Sequence, residues 1–366
     1  MDQASMEQKL LALTRLQVSE PIKVMNLCGG FARFWAESDW HQSLSRVVHI
    51  MPGPGCPVCV CPEAEIRAAM HLAVREDVIL AAFGDMLSVP ISYGAAGYAT
   101  LDGARQDGAD VVAVANPHEA VELALRHPTR EVVFFASGFE TVSAPLAAQF
   151  LAGVPDNFSI LNALRLSWPV VDTMLSQHER RPFKAIIAPG HVAAIVGSEC
   201  WRFAVTQYGI PVSISGFSDR SFLASLDTVV RQVVSGKPQL DIQEPYRINP
   251  RGNLYALTCV NNVFDVQSVH WRGIGRVPDS GYALREAWHH RDARKRFHAL
   301  ATFQPEMGDM PNDCLCASIV MGKQSPHDCL RYAHDCQPDN PVGPCMASVD
   351  GACRIMWERQ HSELLD

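Results

Sequence analysis

Three stretches of this chain, Asp77-Val78-Ile79-Leu80-Ala81-Ala82-Phe83, Asp110-Val111-Val112-Ala113-Val114-Ala115 and Glu131-Val132-Val133-Phe134-Phe135-Ala136, are apolar almost from end to end and only strand-long. A strand with no polar alternation has no face for water, so it belongs in a parallel sheet covered by helices on both sides. The segments between them are helical. Pro62-Glu63 opens a helix with proline in its first turn and acids near its positive end, and Ala68, Ala69, Leu72 and Ala73 form its apolar stripe. Pro117 opens another, through Leu125. Earlier strands are expected at 22–27 and 46–50, after a short amphipathic helix over 7–17. Later ones are expected at 158–161, 184–188 and 211–215, followed by an amphipathic helix over 222–234. Strands alternating with helices indicate βαβ units. A helix is expected over 254–264 and a loop-rich connector over 271–278.

The fold class expected is therefore α/β: two parallel-sheet lobes around a cleft, with a small cysteine-rich C-terminal domain. The expected divisions are 1–127, 128–245 and 246–366. The formal charge of -8 provides no basic stripe for phosphates, which excludes a nucleic-acid partner. No apolar run reaches the roughly 20 residues of a membrane helix, and the first residues lack the build of a signal peptide. The expected location is the cytoplasm.

In such a compartment twelve cysteines are better explained as metal ligands or redox thiols than as structural disulfides. Three of them lie in Gly53-Pro54-Gly55-Cys56-Pro57-Val58-Cys59-Val60-Cys61-Pro62, a loop too rich in glycine and proline for regular structure. Cys28, followed by Gly29-Gly30, ends the first strand. Two cysteine loops at neighbouring strand ends would meet on the face where open α/β sheets keep their sites. The Cys56-x-x-Cys59 spacing suits one metal ion or a disulfide. The alternative is a set of inert buried thiols, which would not need the surrounding glycine and proline.

Six more thiols crowd the tail: Cys314, Cys316, Cys329, Cys336, Cys345 and Cys353. This segment has too little apolar periodicity to order itself, and an iron–sulfur cluster, which takes four thiolates, would staple it. Structural zinc competes, but its paired Cys-x-x-Cys knuckles are missing there. Cys200 and Cys259 stand alone and are expected to have no role.

The chain resembles the HypD family of hydrogenase maturation factors from about Lys23 to about Trp357. The likeness rests on Cys28-Gly29-Gly30, Gly53-Pro54-Gly55-Cys56-Pro57-Val58-Cys59, Phe83-Gly84-Asp85-Met86-Leu87, Gly138-Phe139-Glu140-Thr141, Pro189-Gly190-His191-Val192, Trp271-Arg272-Gly273, and the tail motifs Pro341-Val342-Gly343-Pro344-Cys345-Met346 and Gly351-Ala352-Cys353. The resemblance implies a scaffold formed with a small chaperone, HypC. There an iron ion gains two cyanides and a carbon monoxide, the cyanide coming from HypE, before delivery to the large subunit of [NiFe]-hydrogenase. It implies iron or cyano-group handling at Cys28, Cys56 and Cys59, with Glu140 and His191 as further site residues. It also implies a [4Fe–4S] cluster in the tail, assigned to Cys314, Cys329, Cys336 and Cys353, which leaves Cys316 and Cys345 as a redox pair. The family's usual Cys-Gly-Gly-His-Thr-His is here Cys28-Gly29-Gly30-Phe31-Ala32-Arg33, so both histidines are lost. Two other readings stay open: an iron–sulfur-dependent thiol–disulfide oxidoreductase, and a divergent paralogue with altered chemistry. No phosphate-binding glycine loop supports ATP binding.

Overall fold

The computed structural model describes residues 3–92, 94–177, 181–244, 247–303 and 309–361. The strands are β1 Ile22–Asn26, β2 Val48–Pro52, β3 Val78–Phe83, β4 Val111–Val114, β5 Glu131–Gly138, β6 Phe158–Leu164, β7 Ala185–Ala188, β8 Val212–Ile214, β9 Leu240–Ile242, β10 Phe264–Trp271 and β11 Gly275–Leu284. They form two parallel sheets, ordered β2-β1-β7-β8-β9 and β4-β3-β5-β6, and one antiparallel pair, β10-β11. The α/β class and the parallel sheets agree with the sequence.

Both sheets are covered on both faces, which is why their strands carry no polar alternation. In the first sheet Met25, Ile186 and Val212 pack with Phe183 and Trp201, while Val24, Ala185 and Ile187 pack with Phe222, Leu226 and Val229. The last three lie on the Asp219–Ser235 helix. Ser218 starts that helix by accepting from the N–H of Ser221, and Gly236 ends it in the left-handed region at φ 65°. In the second sheet Ile79, Ala81 and Phe134 face Phe150 and Val263, and Leu80, Ala82 and Val133 face Ile66, Ala69 and Met346. Five tail thiols, those of Cys316, Cys329, Cys336, Cys345 and Cys353, belong to this last cluster beside Ile319 and Val320. Apolar packing, including the thiols themselves, orders the tail onto the second sheet.

Two expectations change. The sheets do not follow the division at 127/128, because β1 and β2 join β7–β9 while β3 and β4 join β5 and β6. Parallel neighbours are linked by crossovers, so a sheet can recruit strands far apart in the chain. The boundary at 245/246 falls outside the described residues. The connector over 271–278 is instead part of a hairpin, with the turn between Trp271 and Gly275, where Gly273 and Gly275 have φ of 66° and 101°.

That hairpin is bolted to the cysteine loop. Trp271 is fully buried and donates its indole N–H to Ser280 Oγ at 2.8 Å. The Arg272 N–H donates to the Val60 carbonyl at 2.9 Å, and its guanidinium donates to the carbonyl of Asp309 at 2.8 Å. Glu63, also fully buried, lies 3.7 Å from that guanidinium. No helix among the described residues is long and apolar enough to cross a membrane.

Candidate functional site

β1 and β2 end side by side, and their loops bring the first two cysteine motifs together. Asn26, buried at the end of β1, accepts the Cys28 N–H at 3.3 Å and donates to the Cys28 carbonyl at 2.8 Å. This Asx turn aims Cys28 at the start of the Gly29–Glu37 helix. The cysteine loop then runs against β1 so closely that a Cβ on Gly55 would lie 2.1 Å from the Leu27 carbonyl oxygen. Glycine there is a packing requirement.

Cys56 and Cys59 are joined by a disulfide, and the Cys59 N–H donates to Cys56 Sγ at 3.1 Å. Oxidised to a disulfide, these two sulfurs carry no thiolate in this state. Cys28 keeps its thiol. Cys28, Cys56 and Cys59 line one small cavity of about 20 Å³, together with Asp350 and Ile355 from the tail. That volume holds about one water molecule.

The tail loop around Asp350 is a component that sequence reasoning missed. Ser348 Oγ lies 3.5 Å from Cys56 Sγ and 3.4 Å from an oxygen of Asp85, and it accepts the Asp350 N–H at 3.3 Å. Burial raises the Cys28 thiol, the N–H groups of Phe31 and Gly30 lower it, and the Asp350 carboxylate raises it further. Burial raises Asp85 as well, again with a contribution from Asp350. His191 is lowered by burial and raised by Asp350. One carboxylate thus couples to groups on three separate elements. The only sequence cue was its position beside the Gly351-Ala352-Cys353 motif.

Arg33 and Phe31, in the motif that follows Cys28, both have structural partners. Phe31 stacks on Phe222 with centroids 5.2 Å apart. Arg33 donates to the Val349 carbonyl at 2.6 Å and pairs with Glu358, which also receives Arg354 at 2.5 Å. Arg33 therefore latches the tail loop over Cys28. A half-exposed pair plus a charged hydrogen bond contributes about 1 kcal/mol. Arg33→Met should accordingly speed alkylation of Cys28 by a maleimide about fivefold, read by mass spectrometry of the Cys28 peptide. An unchanged rate would mean that the loop is held by other contacts.

Glu140 and His191 do not line the cavity. Glu140 starts the Glu140–Ala152 helix but caps a different one, accepting the N–H of Ser167 at 2.8 Å and its hydroxyl at 3.1 Å. Its second oxygen is buried without a partner among the described residues, and burial pushes the carboxyl up to about 7. Cys61 is also enclosed, its thiol pushed up to about 12 by burial.

In the tail, Cys314 and Cys316 have sulfurs 3.4 Å apart. Cys353 hydrogen-bonds Cys316 and Cys345, which pulls its thiol down to about 6. Cys336 lies in the field of Cys314 and Cys316. Cys329 turns instead to the Asp313 carbonyl at 3.8 Å. The geometry gathers Cys314, Cys316, Cys336, Cys345 and Cys353, and it does not set Cys316 and Cys345 apart as a separate pair. Among the described residues no group of three or more His, Cys, Asp or Glu is preset as a metal shell. Five converging, mostly buried thiols nevertheless supply the donor type of a four-thiolate cluster, with one thiol to spare.

A family model described as HypD, "Hydrogenase formation hypA family", matches residues 4–360. Over 345 residues the chain is 36% identical to the "Hydrogenase maturation factor HypD" of Azotobacter vinelandii, covering 92% of this chain and 88% of that protein. The proteins of the same name from Cupriavidus necator and Rhodobacter capsulatus are 35% and 33% identical, over 90% and 93% of this chain and 87% and 89% of theirs.

Proposed function

This chain belongs to the HypD family of hydrogenase maturation factors, and from that premise we propose that it is an assembly scaffold for the iron moiety of a [NiFe]-hydrogenase. In this reading it works with a HypC-type chaperone. Iron acquires two cyanides, supplied through HypE, and one carbon monoxide before passing to the hydrogenase large subunit. The observation that carries the proposal is the shared cavity of the Cys28 thiol and the Cys56–Cys59 disulfide. Cys28 is the proposed iron-holding thiol, since a thiolate is a soft ligand suited to such iron. Burial keeps it protonated at rest, and a metal cation displaces that proton. Reduction of the disulfide takes two electrons and two protons and yields two thiols beside Cys28, which could then serve as further ligands. Because the closed cavity has room for about one water, the tail loop bearing Ser348 and Asp350 must shift to admit iron with its diatomic ligands.

A [4Fe–4S] cluster is proposed in the tail, held by four of the thiols gathered around Cys316 and Cys353. When bound it supplies single electrons. The buried thiols that would hold it share an apolar cluster with Cys56 and Cys59.

The test is infrared spectroscopy of the protein purified without oxygen together with its HypC-type partner. Bands of metal-bound cyanide and carbonyl are expected, and they should vanish in Cys28→Ala. Bands that persist in that variant would overturn the assignment. The disulfide beside a free thiol favours a second reading, thiol–disulfide exchange on protein substrates. A spectrum without such bands, alongside reduction of the disulfide by a dithiol, would support that reading.

A further inference from the structure

Between the carboxyl end of β6 and the β10–β11 hairpin lies a larger cavity, of about 450 Å³. This is within the range of small-molecule sites. It occupies the place where parallel α/β sheets bind ligands, outside the carboxyl ends of their strands. The hairpin contributes an irregularity there. The β10–β11 register shifts between Gln267 and Val269, and Gln267, Ser268 and Val269 all line the cavity. Bulges of this kind re-aim side chains next to sites.

The charges around the cavity are unbalanced. Glu65 is paired with Arg294 at 2.7 Å, and His270 with Asp309 at 2.9 Å. Asp292 is engaged as the cap of the Arg294 N–H at 2.9 Å. Arg165 is only 4% exposed, yet it meets no carboxylate among the described residues. Two of its N–H groups donate to the carbonyls of Ala163 and His270, at 2.6 and 2.7 Å, and its Nε has no partner among the described residues. A guanidinium has five N–H donors, so donors remain. Arg276, an exposed residue that also lines the cavity, likewise makes no ion pair among the described residues. A buried cation without a counter-charge is costly; the Trp271 ring, 6.0 Å from the Arg165 guanidinium, offsets part of that cost, and an anion in the cavity would offset more.

We propose that this cavity binds a small molecule bearing an oxyanion group, carboxylate or phosphate, with Arg165 and Arg276 as its counter-charges. The guanidinium fork matches either group. The site is separate from the thiol cavity and does not depend on the iron chemistry.

Calorimetric titration of the full chain with pyrophosphate and with succinate, against chloride of matched ionic strength, tests the proposal. Saturable binding of at least one probe is expected, weakened threefold or more in Arg276→Gln and lost in Arg165→Gln. The preferred probe identifies the group as phosphate or carboxylate. No saturable binding of either probe, or a loss of less than threefold in Arg276→Gln, would overturn the proposal. If Arg165→Gln does not fold, the exposed Arg276→Gln variant decides alone.

Discussion

Replacing Glu140 by Gln should stabilise the protein at pH 8 by about 2 kcal/mol and leave it almost unchanged at pH 5. Burial raises this carboxyl from its ordinary 4.5 to about 7 in the folded state. A raised folded pKa means that the native state binds the proton more tightly. Its stabilising contribution is full below about 4.5, falls as pH rises, and is gone above about 7. The raised value is equivalent to about 3 kcal/mol at 1.36 kcal/mol per unit. Part of the gain in the variant is offset, because the amide must place an N–H₂ where the second carboxyl oxygen now has no partner. The remaining acceptor keeps the cap on Ser167. Urea unfolding of both proteins at pH 5 and pH 8 measures the difference. An equal effect at both pH values would show that Glu140 is ionised throughout.

Gly55→Ala should cost about 3 kcal/mol, because the added methyl meets backbone that has nowhere to go. Its Cβ would stand 2.1 Å from the Leu27 carbonyl oxygen, and β1 is held on both sides by β2 and β7. The cysteine loop would have to retreat, carrying the disulfide away from Cys28. Gly84→Ala is the control, since nothing lies within 4 Å of its added Cβ, and it should fall within about 0.5 kcal/mol of the parent. Denaturant midpoints at equal slope compare the two. Similar losses in both would show that chain flexibility, rather than the close approach to Leu27, is what glycine supplies.

Much of the sheet architecture was legible because its signals are local. Apolar runs such as Val78–Phe83 and Glu131–Gly138 are strands, and the Pro62-Glu63 and Pro117 signals start helices. Strand partnership was not legible, because a fully apolar strand carries no mark of its neighbour. The hairpin escaped notice because Gly273 and Gly275 suggested a loop, while the burial that makes Trp271 and Arg272 structural depends on Val60 and Asp309 far away in the chain. At the site, Cys28, Cys56 and Cys59 were visible as thiols flanked by glycine. Ser348 and Asp350 were not, since a serine and an acid in a polar tail look like solvent-facing residues until the fold presses them against Asp85 and Gly29. Arg33 stood out as a departure from the family motif, and its link to Glu358 explains how that position is used here.

The interleaving of the two sheets also governs when the thiol cavity can exist during synthesis. Val24 in β1 pairs with Ala185 in β7, so the first sheet cannot close until the ribosome has passed that point. Pairings of such long sequence separation form late. The last wall, Ser348 and Asp350, emerges later still. A nascent or prematurely ended chain therefore has the cysteine loop but lacks the pocket around it. The metal binding proposed for this cavity would thus be deferred to chains that have been made through their tail, and the arrangement would act as a check on completeness.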